Sequence, residues 1–290
     1  VEVAVDLDSR FGVTDHVAKE TGMDSGNASS QSLRGGTVDF RSSISDQPVL
    51  RSWQVAGCLL LLSVASMALL DHRCSGYFRA HPLSSEAMNL FQAAEHFGTP
   101  YGALLILVTA WIILPQVRTR VVRTISAAIA AGLLANVVKL CISRTRPGKF
   151  DFDQSIWSSF TGVFQLGAGG SRHQGFPSAH TAFAIGFALM LGEMFPVARR
   201  WFLCVGALVA MQRIVACAHF PSDVLAGAAI GYVTARYYAG GTFVSRICEV
   251  VEARLFRDST AGQLAVEAIA HGWSPSEREP RSDIACSHPK

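Results

Sequence analysis

The sequence predicts an all-α membrane protein, a six-transmembrane-helix bundle with an active site at the non-cytoplasmic membrane surface. Three observations lead there. Half of the residues are hydrophobic and only 16% are charged, against about 25% charged in soluble domains. Six apolar stretches follow one another between residues 53 and 238, with lengths near the roughly 17–25 residues that a bilayer demands of a helix. The polar residues between them gather in three short islands at the ends of those stretches.

Residues 1–50 are polar and rich in Ser, Asp and Gly, without a sustained apolar period, and read as a disordered tail. Asn27-Ala-Ser29 fits a glycosylation acceptor pattern and is read as chance in a cytoplasmic tail. The chain opens on Val1 rather than Met, which leaves its true start open. The domain that follows spans 51–240. Trp53 to Leu70 carries no charge and lies too deep for a cleaved signal peptide, so it reads as a first span and signal anchor. In the loop from Asp71 to Gly98, Ser84-Ser85-Glu86 marks a helix start. Met88, Leu90, Phe91 and Phe97 then give one apolar face, suited either to seating a lipid or to packing as a loop helix.

Thr99 to Val117 is the second span. Thr124 to Val138 is the third, with small residues that let helices approach closely. After a loop at 148–175 come Pro177 to Phe195, Trp201 to Ala218 and Asp223 to Tyr238. Residues 241–290 read as an amphipathic surface segment and a second disordered tail. Seven cysteines show no Cys/His metal spacing. Cys58, Cys141, Cys204 and Cys217 lie in apolar runs and read as small core residues, with no disulfide.

Six spans return both termini to one side, which Arg51, Arg118, Arg120, Arg123, Arg199 and Arg200 share. The positive-inside rule makes that side cytoplasmic. All three islands then fall on the opposite face, where Arg144, Arg146, Lys149 and Arg213 need another reason to be; an anionic ligand is the simplest. A net charge of +3 with scattered basic residues gives nucleic-acid binding no support.

The first island runs from Lys139 to Pro147. On a continuous helix Lys139 and Arg146 share a face and can clamp phosphate oxygens, with Pro147 ending the helix. Taken alone, this island equally fits two cations snorkelling to headgroups. The second is Pro177-Ser178-Ala179-His180, in which Ser178 is a natural N-cap and the free backbone N–H groups suit an anion. A capping serine beside an incidental histidine is the plain alternative. The third runs from Arg213 to Asp223. Arg213 lies inside an apolar span and needs a partner. His219 and Asp223 flank a Pro-Ser turn, the arrangement of a histidine oriented by a carboxylate, or of a structural pair.

Together the islands resemble the signature of the type 2 phosphatidic acid phosphatase superfamily, which also contains bacterial acid phosphatases and vanadium haloperoxidases. Lys139, Arg146 and Pro147 meet its Lys-x6-Arg-Pro element. Pro177, Ser178 and His180 meet Pro-Ser-Gly-His, with Ala179 where Gly is usual. Arg213, His219 and Asp223 meet Ser-Arg-x5-His-x3-Asp, with Gln212 where Ser is usual. The resemblance implies that His219 is the nucleophile, oriented by Asp223, and that His180 is the acid and base. It implies that Lys139, Arg146, Ser178 and Arg213, beside Ala179 and Gln212, hold the phosphate, with no metal and no cofactor. The expected activity is hydrolysis of a lipid phosphate or diphosphate in a bacterial inner membrane, both termini cytoplasmic and the oligomeric state open. A phosphotransferase, a haloperoxidase or an inactive lipid-binding relative are the rivals. Six spans disfavour the haloperoxidase, and the intact His180, His219 and Asp223 disfavour an inactive protein.

Overall fold

The computed structural model describes residues 49–164 and 170–256. Both expected tails, with the Asn27 pattern, lie outside them apart from the first turn of helix 1. Nine α-helices carry the described chain: α1 (Val49–Leu69), α2 (Asp71–Ala80), α3 (Ser85–Glu95), α4 (Pro100–Ile113), α5 (Arg118–Cys141), α6 (Ala179–Met194), α7 (Arg199–Val215), α8 (Pro221–Ala239) and α9 (Phe243–Leu255). Each of the six apolar stretches is helical, as α1 and α4–α8. Among the described residues α1 and α5 are long and apolar enough to cross a membrane. A third crossing is added if α4 counts together with the helix that precedes it at a 70° bend. Of the remaining runs, α6 is apolar but shorter, with 16 residues, about 24 Å at 1.5 Å per residue, whereas α8 has 19 residues but is less apolar.

Helix α6 is the centre of the bundle. Twelve of its sixteen residues are buried, and it packs against α5, α7 and α8. Its phenylalanines Phe183 and Phe187 meet Phe97, Leu107 and Val209 in the main apolar core. On the α5 side the contact is made by Ala127, Ala128, Ala131 and Ala135, all fully buried; small side chains bring two helix backbones close. The α8 contact is closer still. A Cβ on Gly227 would stand 2.4 Å from the Ser178 carbonyl oxygen, and one on Gly231 2.4 Å from that of Ala182. Only glycine permits this approach, which sets the start of α6 against the start of α8.

Outward faces stay apolar: Leu61, Leu105, Ile113, Leu133 and Trp201 are exposed. That many bare hydrophobic side chains suit a lipid environment. Two of the cysteines expected in the core are also exposed, Cys58 and Cys204, because they lie on these outward faces.

The fold departs from all-α at one place that matters for the site. Helix α5 stops at Cys141, and the next residues form strand β1 (Ile142–Arg144), paired antiparallel with β2 (Phe160–Val163). Lys139 and Arg146 therefore do not share a helix face. Arg146 is extended, with φ −72° and ψ 149°, as expected for a residue before proline. The two cations approach each other because the chain turns, not because a helix continues.

Candidate active site

Three chain ends meet here: the last turn of α5, the start of α6, and the turn joining α7 to α8. Their meeting is fixed by backbone bonds. The Ser178 N–H donates to the Asp223 carbonyl at 3.0 Å, tying the α6 start to the α8 start. The N–H groups of Ala218 and His219 both donate to the Arg213 carbonyl at 3.1 Å, closing the end of α7. That closure holds Cys217 at φ +50°, a conformation uncommon for a residue with a side chain. The Cys217 carbonyl accepts from Gly148 N–H at 2.9 Å, anchoring the loop after Arg146. Phe150, Ile156 and Phe220 then pack over the turn.

His219 is 2% exposed. Its Nδ1 lies 2.6 Å from the carbonyl oxygen of Gly175. A carbonyl only accepts, so Nδ1 carries the proton and Nε2 keeps its lone pair. Asp223 stands further off, with Oδ2 3.7 Å from Nδ1. The hydrogen bond that fixes the ring is thus made by Gly175, and Asp223 contributes charge at short range. Burial pushes the imidazole below its ordinary range, against the opposing pull of Asp223. The ring is held neutral with Nε2 bare, the form a nucleophile needs.

Asp223 is fully buried and has other duties. Its Oδ2 accepts the Phe220 N–H at 2.8 Å, closing the turn that carries His219. Its Oδ1 pairs with Arg144. Arg144, which the sequence placed among candidates for an external anion, is fully buried and committed inside the protein. It donates to Asp71 Oδ2 at 2.7 Å, Ser222 Oγ at 2.7 Å and Ser159 Oγ at 3.0 Å. Its guanidinium lies between the rings of Phe160 and Phe220, 4.6 and 4.3 Å from their centroids. Asp71 in turn accepts the Ser222 N–H at 3.0 Å, placing a carboxylate at the N-terminus of α8. Burial pushes the Asp71 carboxyl up, opposed by Arg144 and Ser222.

The residues expected to hold a phosphate lie at these same chain ends. Ser178 caps α6: its Oγ accepts Thr181 N–H at 3.4 Å and Thr181 Oγ1–H at 3.0 Å. Its own hydroxyl hydrogen is left to donate. Ala179 and His180 open the helix, where the first N–H groups lack partners within the helix. Lys139 is 8% exposed and stands within charge range of Arg146, Arg213 and Asp223. Among the described residues, the Arg146 Nε is one of two buried side-chain nitrogens or oxygens without a hydrogen-bond partner. A buried donor of this kind asks for an acceptor.

Arg213 and Gln212 are not waiting in the same way. Arg213 Nη2 lies 2.6 Å from Oε1 of Glu95, the last residue of α3. Gln212 donates its amide N–H to Glu95 Oε2 at 2.9 Å and accepts from Arg213 Nε. The same Oε1 is 3.9 Å from His180 Nε2. Glu95, Asp71 and Gly175 are the partners of these residues that the sequence did not point to. The need of Arg144 and Arg213 for buried partners was the one available signal, and it did not say which carboxylates would answer. The start of α3 does follow the sequence, with Ser84 Oγ accepting Ala87 N–H at 3.4 Å.

Residues 120–244 match the PAP2 superfamily. A lipid A 1-phosphatase of Rhizobium johnstonii is 35% identical over 102 residues, covering 35% of this chain and 39% of that protein. A lipid A 1-phosphatase of Rhizobium etli is 33% identical over 107 residues, covering 37% and 43%. The chain thus spans about two fifths of the length of the curated relatives it matches. The crystal structure of Aquifex aeolicus LpxE aligns at a TM-score of 0.42 and 24% identity, over 55% of this chain and 90% of that one.

Proposed function

From the PAP2 superfamily domain that residues 120–244 form, we infer that this protein hydrolyses a membrane lipid phosphate or diphosphate through a phosphohistidine. The observation that carries the reading is His219: a buried ring with Nδ1 bound to the Gly175 carbonyl at 2.6 Å and within charge range of Lys139 and Arg146. Nε2 attacks phosphorus, the bond from phosphorus to the lipid oxygen breaks, and the leaving oxygen takes a proton from His180. Asp223 offsets the positive charge that grows on the attacking ring. A water then attacks the phosphohistidine, giving its proton to His180, and inorganic phosphate leaves. Lys139, Arg146, Arg213, Ser178 and the first N–H groups of α6 hold the three spectator oxygens. Phosphoryl transfer is mainly positioning and charge stabilisation, and three cations supply the stabilisation here.

The membrane setting favours a lipid tail on the substrate. α1 and α4–α8 form the six spans, both termini are cytoplasmic, and the site opens on the periplasmic face of a bacterial inner membrane. The arginines of the α5 and α7 starts, at the end opposite the site, support this orientation. Because the relatives are both lipid A 1-phosphatases, a glycolipid phosphate ranks first among candidates. Phosphatidic acid, phosphatidylglycerol phosphate and undecaprenyl diphosphate follow.

The test is phosphate release by the detergent-purified chain over that lipid panel, with excess EDTA, beside His219→Ala. Release that survives EDTA and disappears in the variant is the expected result. Folded protein that releases phosphate from none of the lipids would overturn the reading.

A further inference from the structure

Glu95 is the one carboxylate among the groups that act on His180. Arg213 faces that ring from α7, Lys139 from α5, His219 from the α7–α8 turn, and Glu95 from α3. In the proposed reaction His180 must carry a proton in a pocket that already holds three cations. A further positive charge is opposed there unless an anion stands close. Glu95 Oε1 is 3.9 Å from His180 Nε2, near enough to offset charge. It is too far to take the N–H as a hydrogen bond, so the proton stays free for the leaving oxygen.

The carboxylate is itself tightly placed. Its two oxygens are held by Arg213 at 2.6 Å and by the Gln212 amide at 2.9 Å. A serine at 212, the usual residue of the family, has no amide to span this gap. The Gln212 departure and Glu95 therefore form one feature. No residue of α3 is fully buried, but Phe97 and Gly98 just beyond it are, so packing brings Glu95 to α7 and the polar contacts fix its two oxygens.

We propose that Glu95 is a positioning residue for proton delivery: it fixes the Arg213 fork and holds a negative charge opposite the protonated His180. It stays ionised throughout. The proton passes from His180 to the leaving oxygen as the phosphorus–oxygen bond breaks, and the electron pair goes with that oxygen. The proposal rests on the phosphatase reading given above.

A leaving group that is stable as an anion needs no proton. The test compares a long-chain alkyl phosphate with p-nitrophenyl phosphate, using the purified full chain and Glu95→Gln. General acid catalysis contributes about 100- to 10,000-fold, and weakening it should cost part of that. The expected result is a fall of about 30- to 100-fold in kcat/KM for the alkyl phosphate and less than about threefold for the nitrophenyl ester. Glu95→Asp, which keeps the charge, should restore most of the difference. Because the ratio of the two substrates is taken on one sample, loss of folded protein does not change it. An equal fall on both substrates would overturn the proposal and make Glu95 a structural support. A gain on both, with tighter inhibition by vanadate, would overturn it too and make Glu95 a competitor for the phosphate seat. Wild-type protein inert to these two substrates and to the whole lipid panel would sink the phosphatase reading and this proposal with it. Wild-type turnover with an unchanged ratio would sink the proposal alone.

Discussion

Arg144 and Asp71 form an ion pair with no solvent exposure on either side, Nη2 to Oδ2 at 2.7 Å. Arg144 also pairs with Asp223, so one guanidinium holds two buried carboxylates. Asp71 opens α2, just after the first apolar helix, and Asp223 lies in the first turn of α8, beside the turn that carries His219. The pair therefore joins the outer part of the fold to the proposed nucleophile.

Removing the cation should be costly, because both carboxylates would be left buried and uncompensated. Breaking a buried pair in this way typically costs about 3–5 kcal/mol. Arg144→Leu is expected to lower the unfolding temperature in detergent by many degrees and to reduce folded yield. Asp71→Asn leaves Arg144 paired with Asp223 and should be milder. A melting curve for Arg144→Leu that overlays the wild type would show that the pair has no such role.

Asp223→Asn tests how the His219 ring is held. In triads where the carboxylate alone fixes the tautomer, this change costs about 10,000-fold. Here the Gly175 carbonyl takes the Nδ1 proton at 2.6 Å, so the tautomer should survive the substitution. The expected loss in kcat is only about 10- to 100-fold, the part due to charge. A loss near 10,000-fold, measured on protein with an unchanged melt, would mean that Asp223 is the orienting group after all.

Much of this site was legible as sequence. The six apolar runs are all helices, and the three islands converge because each sits at a helix end. Lys139, Ser178, His180, Arg213, His219 and Asp223 are met at those ends. What the sequence did not show is long-range. Asp71 is 73 residues from Arg144, and Glu95 is 117 from Gln212. No local period links such positions. The β1–β2 ribbon escaped for a similar reason: β1 has three residues and owes its form to pairing with a distant segment. An external anion was expected for the basic residues of the islands, but Arg144 and Arg213 both meet carboxylates inside the protein.

The neutral state of His219 predicts a pH effect on stability. Burial lowers its pKa in the folded protein, below the unfolded value of about 6.5. As pH falls through that value the unfolded chain gains a proton that the folded chain does not, so stability drops with acid. His219→Gln keeps a donor for Gly175 and removes the titration. Between pH 7.5 and pH 5.5, as assay conditions of roughly one unit either side of the unfolded value, wild type should lose more unfolding temperature than the variant. Equal losses would mean that the buried ring does not resist protonation.

The most direct test of the account is to catch the covalent intermediate. The purified protein would be mixed with a radiolabelled lipid phosphate, quenched in alkali within the first turnover, and digested for peptide mapping. The account predicts an acid-labile, alkali-stable label on the peptide carrying His219, lost in His219→Ala and accumulating in His180→Ala with an activated leaving group. Wild-type turnover without label at any quench time, or label on another residue, would contradict it.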